Sequence, residues 1–471
     1  MKPKQSSGTR PVHQRVAGEL EFKTAGKSIA IGFTDQRLSP QAGSATCWSW
    51  LHGGNWIRTL TQALPHPLPR SNNNLQPIEK ALAFMHGLLC EARKLTHVAY
   101  LRRDPMAAEL LGVRRVASQS VLSRFFQGFG SAGANLRCFR PLWQWCAARL
   151  PSRKEGYTLD LDSVSLLHED GQQEGVASGY TKRGIKPCQH PLLAVLAEVR
   201  LVMPLWLRSG NASSGSNAVA FFLDLWHNLP SHLRLRGVRA DSGFCLPVLL
   251  DLWEALHLPY VVVAQLSQPI QRLLRGDLIW SPTEVPGTEV AERMYQGLHW
   301  SQPRRLVLIR HRVADKDRAG GKKLLDVPGY RFQALVTSLP ASLPPLEVWR
   351  YYNGRADCEN VIKELQLGFA LPTLCLQSFW ATEAALCLAA LTYNLSVLFQ
   401  RHLGWQQKVT IHSLRFWLFV TAGVISHPAG KTTIKLAVPP RERSWWTRLW
   451  EKILSPVPNC NAVENQPAFS S

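Results

Sequence analysis

The chain has 471 residues, 45% of them hydrophobic and 18% charged, which excludes wholesale disorder and suits about three modules at roughly 150 residues each. Lys plus Arg total 54 against 33 for Asp plus Glu, a net charge of +21 that calls for a polyanionic partner, either nucleic acid or an acidic membrane surface. The membrane is disfavoured: residues 1–19 are polar and basic, and the longest apolar stretch, 384–399, is interrupted by Thr392, Asn394 and Ser396 and is too short to span a bilayer, so a buried helix is expected there.

Residues 1–75 read as a basic, weakly organised arm carrying Lys2, Lys4, Arg10 and Arg15 and ending in a loop at 70–74. Residues 76–150 read as helical, with Ile78, Leu82, Met85, Leu88 and Leu89 at helical spacing. Within them, 107–112 and 118–125 have the form of a helix, a Gly-containing turn and a second helix opening on small polar residues. That pattern suits a helix-turn-helix entering a DNA groove and equally an ordinary helical hairpin.

From Tyr157 the period changes. Strands are expected at 157–167, 235–240 and 259–266, a strand hairpin at 190–207, and helices at 217–229 and 246–256. This order predicts a mixed α/β sheet with helices on its faces, its first part at 151–267. Residues 268–340 form a β-rich insertion with strands at 306–312 and 332–337, separated by the polar, basic turn 315–323. The core resumes over 341–402 with a long helix at 381–402. Residues 403–471 form a helical C-terminal region, a candidate for dimerisation, with an amphipathic helix at 445–454.

The ten cysteines include no C-x-x-C pair and mostly sit in apolar runs, which argues against structural zinc and a disulfide framework and for buried thiols in a cytoplasmic protein.

Three carboxylates stand out by position. Asp162 follows Asp160 on the first strand, Asp241 ends the strand 236–240, and Glu359 lies on a helix after the insertion. Ligands bind at strand ends in open α/β sheets. Three hard carboxylates there would hold two Mg²⁺ or Mn²⁺ ions, about 3.5–4 Å apart, for phosphoryl transfer. Singly, each acid reads equally well as a turn residue, a cap or a solvated side chain. Around Glu359, a continuous helix at about 100° per residue would put Tyr352, Arg355, Glu359, Lys363 and Gln366 within about 80° of one another. That face suits a metal-holding acid flanked by phosphate-gripping cations, and equally an Arg355–Glu359–Lys363 salt-bridge ladder.

Tyr352-x-x-Arg355-x-x-x-Glu359 resembles the signature of bacterial insertion-sequence DDE transposases, specifically the insertion-sequence-4 superfamily and its 1380 branch. Residues 159–163, 190–194, 206–211, 239–244 and 353–360 resemble that branch in order, and the likeness covers roughly residues 110–400. It implies a ribonuclease-H-like core with a β-strand insertion before the last acid, and a metal-binding catalytic triad of Asp162, Asp241 and Glu359. Asp162 is preferred over Asp160 because the family's first acid precedes a small hydroxyl residue, here Ser163. Gln366 stands where the family usually has Lys, and Val164 where a second hydroxyl residue is common.

The resemblance further implies a transposase that binds the terminal inverted repeats of an insertion sequence, cleaves double-stranded DNA and joins it to a target. A homodimer would hold both ends. Tyr352, Arg355 and Lys363 would grip phosphates, with Gln366 at the family's Lys position. The basic stretches with Lys182, Arg183 and Lys186 and with Arg304 and Arg305 would hold the backbone, and as charge runs read equally well as solvated surface. Trp300, or else Trp280, would stack a flipped base. The competing expectations are a catalytically inactive DNA-binding descendant and a plain metal-dependent nuclease or resolvase.

Overall fold

The computed structural model describes residues 20–71, 73–168, 171–181, 183–213, 215–313 and 329–456. It begins with an antiparallel hairpin of β1 (Leu20–Thr24) and β2 (Lys27–Ile31) and the short β3 (Leu38–Ser39). Seven helices follow: α1 (Ala45–Gly53), α2 (Trp56–Ala63), α3 (Pro77–Leu89), α4 (Leu95–Tyr100), α5 (Ala107–Leu111), α6 (Gln119–Gln127) and α7 (Ala132–Ala147). α3 starts as its sequence dictates, with Pro77 in the first turn and a reciprocal cap between Gln76 and Glu79.

The expectation of a flexible arm over 1–75 fails for α1 and α2. Trp48, Trp50 and Trp56 are buried, and indole burial there outweighs the local frequency of Gly and Ser. Lys2, Lys4, Arg10 and Arg15 lie outside the described residues. The pair α5 and α6 forms at the expected place. α6 turns Leu122, Phe125 and Phe126 into the core and leaves Gln119, Ser120 and Arg124 outward.

The central architecture is a mixed α/β sheet. Its strands are β4 (Tyr157–Ser163), β8 (Leu192–Leu196), β9 (Leu201–Trp206), β10 (Leu235–Ala240) and β11 (Tyr260–Val263). Between β4 and β8, a three-stranded sheet is made by β5 (Leu166–Leu167), β6 (Ala177–Thr181) and β7 (Gly184–Gln189). Helices α8 (Ala218–Asn228) and α9 (Pro247–Ala255) separate the later strands, and α10 (Gln268–Arg275) leads into the insertion.

The insertion contributes β12 (Ser281–Pro282), β13 (Thr288–Tyr295), β14 (Arg304–Arg312) and β15 (Tyr330–Thr337). These strands do not form a separate module. β15 pairs antiparallel with β11, so the nine strands make one sheet in the order β12-β13-β14-β15-β11-β10-β4-β8-β9. The basic turn expected at 315–323 lies outside the described residues.

After the sheet come α11 (Pro345–Asn353), α12 (Ala356–Gly368) and α13 (Phe379–His402), then α14 (Ile411–Leu414), the hairpin β16 (Gly423–Ser426) with β17 (Thr433–Leu436), and α15 (Arg443–Leu454). β3 pairs with β16, tying the first described segment to the last.

α13 is long and apolar enough to cross a membrane by length and composition, yet its apolar stretch is buried inside the fold. Its polar residues cover the outer edge of β9. Asn394 donates to the Val202 carbonyl at 2.8 Å and accepts from the Val202 amide at 2.9 Å. Glu383 accepts from Leu207 N at 2.8 Å, and Tyr393 donates to the Arg200 carbonyl at 2.8 Å. An edge strand's unpaired backbone groups are thereby satisfied.

Candidate active site

β10 runs parallel to β4 with Ala240 opposite Leu161, so the carboxyl ends of the two central strands are level. Asp162 occupies the next position on β4, and Asp241 is the first residue after β10. Both side chains are fixed locally: Ser163 N donates to Asp162 Oδ1 at 2.7 Å, and Gly243 N donates to Asp241 Oδ1 at 3.0 Å. The structure thus brings these two acids together at the ends of neighbouring strands, with β4 ending at Ser163, short of the 167 expected.

Asp160, two residues earlier on β4, has a different environment. It is fully buried and receives both prongs of Arg239, Nε to Oδ1 at 2.6 Å and Nη2 to Oδ2 at 2.9 Å. Arg239 also donates to the Tyr351 carbonyl at 2.7 Å. Asp160 is thus a joint between β4, β10 and α11, which leaves Asp162 as the acid at the strand mouth.

The helix expected through Tyr352 and Glu359 is in fact two helices. α11 ends at Asn353 and α12 begins at Ala356, with Arg355 at its N-terminal boundary. Gly354 sits between them, where a Cβ would press on the Arg239 guanidinium. The single-face arrangement thus changes: Tyr352 ends one helix, while Glu359, Lys363 and Gln366 belong to the next.

Arg355 fastens α12 to the sheet. Its Nη2 lies 2.7 Å from Asp162 Oδ2, and its Nη1 is 4.0 Å from Glu359 Oε1. Arg355 is buried, whereas the Glu359 side chain is 56% exposed. Burial pushes the Asp162 carboxyl up to about 6. Arg355 opposes that rise, while the nearby Asp241 and Glu359 carboxylates add to it. Burial raises the Tyr352 hydroxyl, Arg355 opposes that rise, and Asp241, Asp162 and Asp160 add to it.

Sequence reasoning gave Arg208 no role, although it lies in one of the quoted motifs. It is buried and draws three segments together around the acids. Its Nη2 donates to Ser163 Oγ at 2.8 Å, its Nε to the His190 carbonyl at 2.9 Å, and its Nη1 to the Ser213 and Ser216 carbonyls at 2.8 and 2.9 Å. Burial lowers its pKa to about 10, and Asp241 pulls the other way. A charged residue inside a short motif after a buried strand was the available signal.

The remaining expected site residues are scattered. Lys363 is exposed one turn beyond Glu359, and Gln366 is half-buried. Arg183 is exposed and Lys186 half-buried on the β6–β7 hairpin, while Lys182 lies outside the described residues. Trp300 is half-buried, edge-on to Tyr295 at 5.7 Å and covered by Arg304 at 5.3 Å. Trp280 is flanked by Arg310 at 4.5 Å.

Arg304 and Arg305 are not free to grip a DNA backbone. Arg304 pairs with Asp251 and with Glu254, at 2.5 and 2.7 Å, and Arg305 pairs with Glu292 at 2.5 Å. Their neighbours on other elements neutralise them, which adjacent positions in sequence do not reveal.

Among the described residues, no three His, Cys, Asp or Glu side chains gather closely enough to form a metal-ligand set. What the site does hold is three carboxylates sharing one electrostatic neighbourhood, with Arg355 as the counter-charge. Such a set of hard oxygen donors fits Mg²⁺ or Mn²⁺ in type, and relieving like-charge repulsion would favour a cation there.

The family model described as transposase DDE domain group 1 matches residues 23–455. No curated protein matches the chain. Among solved structures, the chain is similar to the piggyBac transposase synaptic complex with hairpin DNA. That likeness has 12% sequence identity and a TM-score of 0.44, and covers 93% of this chain and 90% of the other.

Proposed function

Because this chain belongs to the transposase DDE domain group 1 family, we propose that it binds the terminal inverted repeats of an insertion sequence and catalyses metal-dependent DNA cleavage and strand transfer in the bacterial cytoplasm. The observation that carries this reading is the meeting of Asp162 and Asp241 at level ends of parallel strands, with Glu359 brought in by Arg355. Within the family, the quoted motifs support the insertion-sequence-4 superfamily and its 1380 branch. A ribonuclease-H-like core is supported by the order β11-β10-β4-β8-β9, in which β8 alone runs against the others.

Asp162, Asp241 and Glu359 would hold two divalent cations, which would supply polarisation of the scissile phosphate and a lowered pKa for the attacking oxygen. The chain's own residues do the rest. Arg208 fixes Ser163 and the loop beyond β9, so the Asp162 carboxylate keeps its aim. Arg355 sets the distance of α12 from the sheet. Lys363, exposed on the helix that carries Glu359, would meet a phosphate of the bound strand. Hydrolysis at the element's end leaves a 3′-hydroxyl, and that hydroxyl then displaces a second 3′-oxygen at a target phosphodiester. Two ends cut together call for two copies of the chain.

A second reading draws on the Arg355–Asp162 contact, which occupies an acid that a cation needs: a catalytically inactive descendant that still binds DNA. One experiment separates the two. DNA carrying the element's own ends is incubated with Mg²⁺ and wild type, Asp241→Ala or Glu359→Ala, and nicking, hairpin formation and strand joining are scored. Cleavage by wild type alone, with binding kept in both variants, supports the transposase. Binding without cleavage by wild type supports the second reading.

A further inference from the structure

The β6–β7 hairpin has two unlike faces. Inward, Gly179, Thr181 and Cys188 are buried against the loop after β9. The approach there is backbone to backbone: a methyl at Gly179 would collide with the Gly210 carbonyl oxygen, and one at Gly210 with the carbonyls of Cys188 and Ala177. Gly210 N donates to the Gly175 carbonyl at 3.1 Å, and Thr181 Oγ1 donates to the Gly184 carbonyl at 2.7 Å. The hairpin is therefore held firmly at its base and pinned at its turn.

Its outward face is open. Tyr180 and Ile185 are cross-strand partners, so their side chains stand side by side, and they are 81% and 74% exposed. An adjacent aromatic and β-branched pair thus stands in water on a strand pair held at its base and its turn. Arg183 is exposed at the same tip, and residues 175–197 contain no Asp or Glu. The charge around this apolar pair thus suits a polyanion. The base of the hairpin is joined to the segments that carry the acids. β5, three residues beyond Ser163, pairs with β7, and Gly210 lies two residues from Arg208, which bonds Ser163.

Resting on the transposase reading above, we propose that the β6–β7 hairpin is a wedge that inserts Tyr180 and Ile185 between bases of duplex DNA beside the phosphodiester to be cut. Apolar side chains that enter a duplex unstack and kink it. A single aromatic contact with a base shifts the unstacking equilibrium by about tenfold or more. The unpaired segment would then reach the carboxylates as a deformed strand.

The test uses the full chain and a duplex of the element's end carrying 2-aminopurine at successive positions around the cleavage point, with Ca²⁺ in place of Mg²⁺. Wild type is expected to raise fluorescence at one or two of these positions. Tyr180→Ala with Ile185→Ala should reduce that rise about tenfold, with duplex affinity within about threefold and an unchanged melting temperature. Tyr180→Phe should behave as wild type, since insertion needs the ring and not the hydroxyl. With Mg²⁺, a duplex already mismatched at those positions should restore cleavage by the double variant. An equal fluorescence rise from the double variant, or failure of the mismatched duplex to rescue it, overturns the wedge while leaving the transposase reading intact. A change of oligomeric state by light scattering in the double variant would assign the face to a second copy of the chain instead. Absence of DNA binding by wild type overturns both readings.

Discussion

Arg355 reaches from the start of α12 to Asp162 at 2.7 Å and lies 4.0 Å from Glu359, so one guanidinium supplies positive charge to two of the three acids. It fills electrostatically the place a cation would take, and it ties the helix bearing the last acid to the strand bearing the first. Arg355→Ala should leave the buried Asp162 carboxylate uncompensated and lower stability by about 3–5 kcal/mol in the presence of a chelator. Mn²⁺ should then raise the melting temperature of the variant more than that of wild type. Urea denaturation and thermal melts with and without Mn²⁺ check this, and equal cation responses would remove Arg355 from the charge balance of the site.

Asp160 and Glu359 should respond to neutralisation in opposite ways. Asp160 is fully buried under a two-pronged Arg239, so Asp160→Asn should cost about 3–5 kcal/mol of stability. Glu359 is exposed, so Glu359→Gln should change stability by less than about 0.5 kcal/mol while abolishing DNA cleavage. Chemical denaturation beside a cleavage assay reads both. A stable Asp160→Asn protein that has lost cleavage would make Asp160 the working acid.

The parts of this fold that the chain announces are those written in local periodicity. β4, β8, β9, β10 and β11 are largely buried strands bounded by turns, and α13 is mostly apolar, so each is legible near its observed place. Asp241 stands out because the same pattern ends its strand at 240, whereas Asp162 falls within the expected strand 157–167 and only the family resemblance sets it apart from Asp160. Partnership across the sheet has no local signature. Nothing near β15 states that it pairs with β11, and nothing near Arg304 states that Asp251 and Glu254 await it. The break at Gly354 was hidden because helical residues continue on both sides. The β6–β7 hairpin has no legible strand signal because Gly and Cys at its inward positions and Pro187 on its outward face hide the alternation that marks a strand.

Asn394 is one of three polar residues, with Thr392 and Ser396, that interrupt the apolar stretch of α13, and its role is the closure of a sheet edge. Its amide satisfies both backbone groups of Val202. Asn394→Leu keeps the branching at Cγ but replaces the amide by methyl groups and leaves the buried N–H and C=O of Val202 unpaired, each costing about 1–3 kcal/mol. The variant should lose about 2–5 kcal/mol by urea denaturation. A loss under 1 kcal/mol would mean that β9 relaxes toward other partners, and hydrogen exchange at Val202 would then be unchanged as well.

His86 gives the fold an acid limit separate from Asp162, Asp241 and Glu359. It is fully buried on α3, where its Nδ1 accepts from the Trp48 indole at 3.0 Å. Burial lowers its pKa from 6.5 to about 4. Between those values the unfolded chain binds a proton that the folded chain refuses, so stability falls as the pH drops through 6.5 and the loss is complete below about 4. The shift corresponds to about 2 kcal/mol lost between pH 7 and pH 5. His86→Gln cannot take up that proton. Its stability should therefore decline less than that of wild type over this interval, by about 2 kcal/mol, in denaturation curves at the two pH values. Parallel declines in the two proteins would mean that His86 titrates alike in the folded and unfolded chains.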